Sequence, residues 1–251
     1  MDRKEKLKEL LRKLHSEDDT EKLKKEAASL LKEIDAKTLS LAEQELIQEG
    51  MSVDEIRKLC QVHLGVLKEQ LEEEKPQLEP EHPISVLMEE HRIILDNLQN
   101  LAKIVERAQK EESFDTLKQE LEDLKKIAHL LVEAEKHHQR EEEALFPRLE
   151  EIGVTGPPRI MRMEHTELRA QKKALKTLSD EIDRYSYAEF AKRLQELGGY
   201  LVTHLTDHIY KEDTILYPTA IQSLEEGVWQ RVKEDFDKIG YCCFTPQQNA
   251  C

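Results

Sequence analysis

The chain has 251 residues, of which 36% are charged and 38% hydrophobic, and its formal net charge is −15. This mixture is typical of helices with solvated outer faces, and the scarcity of Val, Thr and aromatic residues leaves little from which strands are built. The negative charge argues against a nucleic-acid partner, because phosphates would repel such a surface. No apolar run approaches the roughly 18 residues of a membrane span, and the N-terminus lacks the apolar core of a signal peptide. We therefore expect a cytoplasmic protein without a membrane segment.

Short segments with helical apolar spacing fill the N-terminal region, residues 1–78, and predict a small helical domain of unknown function. Gly50 is expected to end the third of these helices, and Ser52 with Glu55 is expected to cap the fourth. The segment EEEKPQLEPEHP then contains three prolines and predicts a linker.

Four longer segments follow, with apolar residues recurring every three or four positions. The first is expected to start at Pro83, the second to run from an N-cap at Ser113 to about Glu150, the third to follow the Gly-Pro-Pro at 156–158, and the fourth to be capped by Ser186. Short connections between long helices make sequential neighbours antiparallel. The sequence therefore predicts an all-α protein in which residues 79–222 form an up-down-up-down four-helix bundle.

Residues 223–251 predict a last amphipathic helix around Trp229 that ends at Gly240, followed by the cysteine-containing segment YCCFTPQQNAC. Cys242 and Cys243 could sense redox state or bind a soft metal, but we expect no special role for this segment. A disulfide framework is not expected, because three of the four cysteines lie within the last ten residues. The remaining one, Cys60, together with His63 and His15, forms either a second small metal site or an ordinary buried thiol and imidazole.

A repeat in the second and fourth bundle segments carries the strongest chemical signal. Residues 137–147 and 208–218 share the pattern H-x-x-[RK]-E-[ED]-x-x-L-[FY]-P without a gap. In each copy the His and the first Glu, four residues apart, lie one turn apart on the apolar face of a helix. An ionised carboxylate on a core face is costly unless it is paired or bound to a metal.

Each of the other two segments adds one His on its apolar face, His91 and His165. A single core His is more often a hydrogen-bonded core residue than a ligand, and one HxxxE on a Glu-rich helix is unremarkable. Two matching copies, each preceded by a single-His helix, instead indicate four imidazoles and two carboxylates that converge on metal. Such donors suit two divalent ions, with iron favoured and zinc or manganese as alternatives.

The chain resembles the haemerythrin-like, or HHE cation-binding, family in EEH at His91, HHQREEEALFP from His137, MEH at His165 and HIYKEDTILYP from His208. The resemblance implies a non-haem centre of two iron ions, Fe2+ or Fe3+, with an oxo or hydroxo bridge. It implies bridging carboxylates at Glu141 and Glu212. The metal ligands implied by position are His91, His137, Glu141, His165, His208 and Glu212.

Weaker ligand candidates are His204, Asp213 and His138. His204 lies one turn before His208, and Asp213 lies five residues after it, where oxygen carriers of the family use Asp. His138 lies about 100° around the helix from His137, toward a neighbouring helix or solvent. We predict no catalytic residue and no organic cofactor site.

Oxygen carriers of the family also place a second His four residues after the third-helix His, where this chain has Arg169. That departure favours sensing, redox or nitric-oxide chemistry over oxygen carriage. The N-terminal region is similar to an uncharacterised helical domain often fused ahead of HHE domains. The sequence thus predicts a protein that binds or senses oxygen, nitric oxide or peroxide in a redox or stress response, with a homodimer or signalling partner engaged through that domain.

Two other interpretations stay open. The centre could be an enzyme that reduces peroxide or nitric oxide, or a source of iron for Fe–S repair. It could also be a structural zinc site without redox function.

Overall fold

A computed structural model describes residues 5, 6, 8, 9, 36–51 and 78–246. Within these ranges the regular structure is helical, without strands, as the sequence predicts. The predicted cap at Ser52, the candidate cluster of Cys60, His63 and His15, and Cys251 lie outside the described residues. No helix of the described part combines the length and the apolar character that crossing a membrane requires.

The α-helices are α1 (Ala36–Gln48), α2 (Pro83–Ala108), α3 (Lys118–Glu133), α4 (Glu135–Arg140), α5 (Phe146–Glu151), α6 (Gly156–Asp180), α7 (Tyr187–Lys211), α8 (Tyr217–Ser223) and α9 (Glu226–Ile239). Short 3-10 turns lie at Phe114–Leu117 and Ile182–Arg184, and π-helical turns lie at Glu141–Leu145 and Glu212–Leu216.

Local sequence signals account for most helix ends. Pro83 opens α2, as predicted, because its fixed φ suits the first turn. Ser113 accepts a hydrogen bond from the backbone N–H of Asp115, which starts the turn leading into α3. Ser186 and Glu189 form a capping box before α7, with 2.8 Å between Ser186 Oγ and a Glu189 carboxylate oxygen. The predicted starts at these positions are confirmed.

The two π-helical turns occupy equivalent places in the repeat, which the apolar spacing had predicted to be ordinary α-helix. Each ends just before the Phe-Pro or Tyr-Pro pair of the motif, at Pro147 and Pro218. Proline has no N–H for the carbonyl four residues earlier, and its ring crowds that carbonyl. Widening the helix to a π turn relieves the crowding, and such turns are frequent at functional sites.

One compact unit comprises Glu79–Leu145, Arg162–Tyr210 and the described part of Trp229–Cys251. Helices α2, α3, α6 and α7 form a bundle around one apolar core, which includes Leu98, Leu101, Leu131, Leu175 and Leu194. Helices α2 and α7 approach closely at Gly198, where an added Cβ would lie 2.6 Å from Val105 Cγ2. The all-α bundle predicted from the sequence is thereby confirmed.

The second unit comprises the described residues of Met1–Leu78 together with Phe146–Met161 and Lys211–Val228. Helix α1 packs there against the π turn Glu212–Leu216 and against α8. The Gln44 side chain donates to the carbonyl of Gly153 at 3.0 Å and accepts from the N–H of Thr155 at 3.2 Å. These bonds attach α1 to the connection between α5 and α6.

Candidate metal centre

Three buried imidazoles each donate their Nδ1–H to a glutamate on another helical stretch. The pairs are His137 with Glu90 at 2.7 Å, His165 with Glu142 at 2.6 Å, and His208 with Glu164 at 2.8 Å. An ionised carboxylate can only accept, so Nδ1 carries the proton and the lone pair of a neutral ring lies on Nε2. Metal-bound histidines are held in this way, with the second nitrogen on a carboxylate.

The Nε2 atoms converge on the interior of the bundle. His91 Nε2 and His137 Nε2 lie 3.0 Å apart. Glu141 Oε2 lies 3.5 Å from His137 Nε2 and 3.5 Å from His165 Nε2. All four side chains are buried. Two nitrogens bound to one ion at about 2.1 Å lie roughly 3 Å apart when they are adjacent ligands, so this spacing suits shared coordination. The Glu141 carboxylate lies between two imidazoles, as a bridging ligand would.

Two pairs repeat the same connection in the two halves of the sequence. The residue preceding the lone His of α2, Glu90, accepts from His137, and the residue preceding the lone His of α6, Glu164, accepts from His208. Sequence alone does not give the direction of these glutamates. The structure therefore extends the internal repeat to the groups that orient the imidazoles.

His138 is buried and forms a second imidazole group with His165 and His208, in which the potential ligand atoms lie within 4.8 Å of one another. Its ring stacks on that of His165 with 3.9 Å between centroids. Burial, and then the electrostatic effects of the neighbouring His165 and Lys172, lower the pKa of His138 well below its usual range. The structure thus buries His138 beside two proposed ligands, where its Nε2 lies 3.4 Å from Lys172 Nζ, a donor that competes with a metal for that nitrogen.

The other weaker candidates, Asp213 and His204, are both half-buried. Glu212 is fully buried, four residues after His208 along one helical run, whereas Asp213 is half-buried. This favours Glu212 as the carboxylate of its helix. His204 is half-buried, and its ring packs on Tyr200 with 4.0 Å between centroids.

Arg169, which replaces the additional His of oxygen carriers, is an ion-pair partner of two glutamates. Its Nε lies 2.7 Å from Glu135 Oε1 and its Nη2 lies 3.0 Å from Glu142 Oε1. Burial raises the pKa of Glu142, but hydrogen bonds from His165 and Arg169 outweigh burial and lower it overall. Arg169 thus holds ionised the carboxylate that orients His165.

The segment after α9, for which no special role was expected, lies against the Glu90 side of the centre. Thr245 Oγ1 donates to Glu90 Oε1, and Cys242 is buried with its Sγ 3.7 Å from Arg140 Nη2. Burial raises the pKa of Glu90, but His137 and Arg140 together lower it to about 2. The sequence held one signal for this contact. Arg140 lies three residues after His137, hence near the same helix face, and a cation buried there requires partners.

Comparison with known proteins identifies both parts of the chain. Residues 7–73 match the "Family of unknown function (DUF438)" and residues 82–220 match the "Hemerythrin HHE cation binding domain". The chain is also 31% identical over 97 residues to "Iron-sulfur cluster repair protein YtfE" of Musicola paradisiaca (strain Ech703), which covers 37% of this chain and 44% of that protein. It thus spans less than half the length of this relative. Since the second match covers more than half of the chain and the buried His and Glu clusters suit a metal centre, this protein belongs to the hemerythrin HHE cation-binding family.

Proposed function

We propose that the chain is a non-haem di-iron protein that binds or senses oxygen, nitric oxide or peroxide. The observation that carries this proposal is the convergence of imidazole Nε2 atoms around Glu141, with three of the Nδ1 atoms held by glutamates. The proposed ligands are His91, His137, Glu141, His165, His208 and Glu212.

The donor set fits iron. Imidazole and carboxylate ligands suit iron, whereas copper(I) prefers thiolate and thioether ligands. Zinc or manganese would also be accepted. Four imidazoles and two carboxylates are too few to fill all the coordination positions of two octahedral ions. Arg169 supplies no further metal ligand. When bound, the iron pair would supply open coordination positions and an accessible redox couple. The protein's own contribution is to orient the imidazoles, exclude water and keep the surrounding carboxylates ionised.

A sensing role is favoured by the packing of α1, which lies within the segment matching the family of unknown function. Helix α1 packs against the π turn Glu212–Leu216, whose first residue is a proposed ligand. A displacement of Glu212 would therefore reach α1 through direct contact. We propose that residues 1–78 form the domain that relays this change to a partner.

A second candidate function is iron supply for repair of Fe–S clusters. The observation that favours it is the similarity to a protein named as an iron-sulfur cluster repair protein. A donor of iron must release its metal to an acceptor, whereas a sensor retains it through cycles of ligand binding.

Protein loaded with iron in the absence of oxygen separates these functions. We expect about two irons per chain, and visible and Mössbauer spectra that change on addition of oxygen, nitric oxide or peroxide. Reversible spectral change with altered hydrogen exchange in residues 36–51 supports sensing, and iron transfer to an apo Fe–S protein supports repair. Two zinc ions per chain after iron-replete growth, without any spectral response, would overturn both.

A further inference from the structure

The C-terminal tail, residues 241–245, turns back onto the bundle after α9. Gly240 has a φ of 90°, a left-handed conformation that glycine adopts without strain. Cys242 is then 1% exposed and Thr245 is 4% exposed. The tail lies beyond residue 220, where the family match ends. It therefore lies outside the matched part of the chain, and its residues Cys242 and Thr245 are as buried as core residues.

Glu90 connects the tail to the proposed metal ligand His137. One Glu90 oxygen accepts the His137 Nδ1–H at 2.7 Å, and the other accepts the Thr245 hydroxyl. Arg140 Nη2 lies 2.6 Å from both oxygens. The carboxylate that sets the ring orientation of His137 is thus itself held partly by the tail. If the Thr245 hydroxyl is removed, Glu90 loses one of its buried donors.

The tail and α9 also cover Arg140, which is fully buried. Its guanidinium lies over the rings of Phe236 and Tyr241, at 5.3 Å and 4.8 Å from their centroids, and its Nη2 is 3.7 Å from Cys242 Sγ. Cation–π contacts and an ion pair compensate a buried arginine, and removing one partner of a buried ion pair is costly because the other charge is left uncompensated. Undocking the tail would admit water to the Arg140–Glu90 pair, and this would loosen the hold on His137.

We propose that the tail is a part of the metal centre that positions His137 through Glu90, so that tail docking and metal binding stabilise each other. The proposal rests on the proposed function in one respect, namely that His137 is a ligand. Coupling of this kind is reciprocal: whatever the docked tail adds to metal affinity, bound metal adds to tail docking. Cys242 is buried in the docked tail, so the rate at which a thiol reagent reaches it reports how often the tail undocks.

Two measurements on the full chain test the proposal. In a background in which Cys60, Cys243 and Cys251 are replaced by Ser, so that Cys242 is the remaining thiol, we expect N-ethylmaleimide to label Cys242 on the order of tenfold faster in metal-free than in iron-loaded protein. In the second, Thr245→Val is expected to release iron to a chelator on the order of tenfold faster than wild type. Thr245→Ser keeps the hydroxyl and is expected to release iron at the wild-type rate. Cys243→Ser changes an exposed residue and is expected to do the same.

Either equal labelling of Cys242 with and without iron, or equal iron release from Thr245→Val and Thr245→Ser, would overturn the proposal. His137→Ala distinguishes this outcome from failure of the proposed function. If His137→Ala retains as much iron as wild type, the ligand assignment itself is wrong. If His137→Ala loses iron while Thr245→Val retains it, the bundle site stands and the tail proposal alone fails. Circular dichroism spectra establish that each variant is folded.

Discussion

Replacing Glu142 by Ala tests whether the carboxylates around the imidazoles determine metal affinity. Glu142 Oε1 accepts the His165 Nδ1–H at 2.6 Å and the Arg169 Nη2–H at 3.0 Å. The His165 side chain is fully buried, and that of Glu142 is 21% exposed. The substitution therefore removes the acceptor of a hydrogen bond whose donor, His165, is buried where water does not readily reach it.

The expected magnitude follows from that burial. A buried donor left without its acceptor costs about 1–3 kcal/mol, with charged acceptors toward the upper end. Since about 1.4 kcal/mol corresponds to a tenfold change in an equilibrium constant, we expect metal affinity to fall about 10- to 100-fold, the range usual for such partners of metal ligands. Glu142→Gln keeps a neutral acceptor oxygen. It should lose about half as much free energy, because charge-assisted hydrogen bonds are roughly twice as strong as neutral ones.

The assay is competition for Fe2+ against a chromophoric chelator under anaerobic conditions, at one pH and salt concentration. Glu143→Ala is the matched control, because Glu143 is the next residue in the chain and its side chain is exposed. Glu143→Ala should bind iron as wild type does. If Glu142→Ala matches Glu143→Ala, orientation of His165 by its carboxylate does not contribute to affinity. The stacking of His138 on His165 would then be sufficient to hold the ring.

Two further predictions use neighbouring residues as controls. Gly198→Ala should destabilise the fold by about 1–3 kcal/mol through overpacking, because its Cβ would lie 2.6 Å from Val105 Cγ2. Gly199→Ala has its nearest contact at 3.5 Å. It should therefore stabilise the fold by about 0.5–1 kcal/mol, because alanine favours the helix over glycine. Denaturant titration measures both, and equal destabilisation would contradict the close approach of α2 and α7. Glu212→Ala should lose much of the iron, whereas Asp213→Ala should retain it. Metal analysis decides between them, and the reverse result would move the carboxylate ligand to Asp213.

The bundle and most helix starts could be predicted because their signals are local. Pro83 and Ser186 act on the adjacent turn, and the positions of His137 and Glu141 follow from helical spacing along one segment. The same spacing correctly placed these two side chains on a buried face. The helical spacing could not predict the π turn that begins at Glu141. Proline leaves one carbonyl without a hydrogen-bond donor, and a helix can accommodate that carbonyl in several ways.

Contacts between distant residues were beyond sequence reasoning. Glu90 and Thr245 are 155 positions apart, and no periodicity relates them. The burial of His138 is also a consequence of tertiary packing. In a bundle a helix faces two neighbours, so a side chain about 100° from the main buried stripe is covered by the adjacent helix. His138 meets His165 of α6 in this way. An angle measured on one helix does not reveal that second buried flank.

The complete burial of Arg140 has a practical consequence for how the domain is delimited. A protein cut at residue 220, where the family match ends, would lack Phe236, Tyr241, Cys242 and Thr245. The guanidinium and its partner Glu90 would then lie at a hydrated, uncovered end of the bundle. Such a truncated protein would keep the whole sequence motif yet lose part of the support for His137. The limits of sequence similarity and the limits of the folded centre therefore do not coincide in this chain.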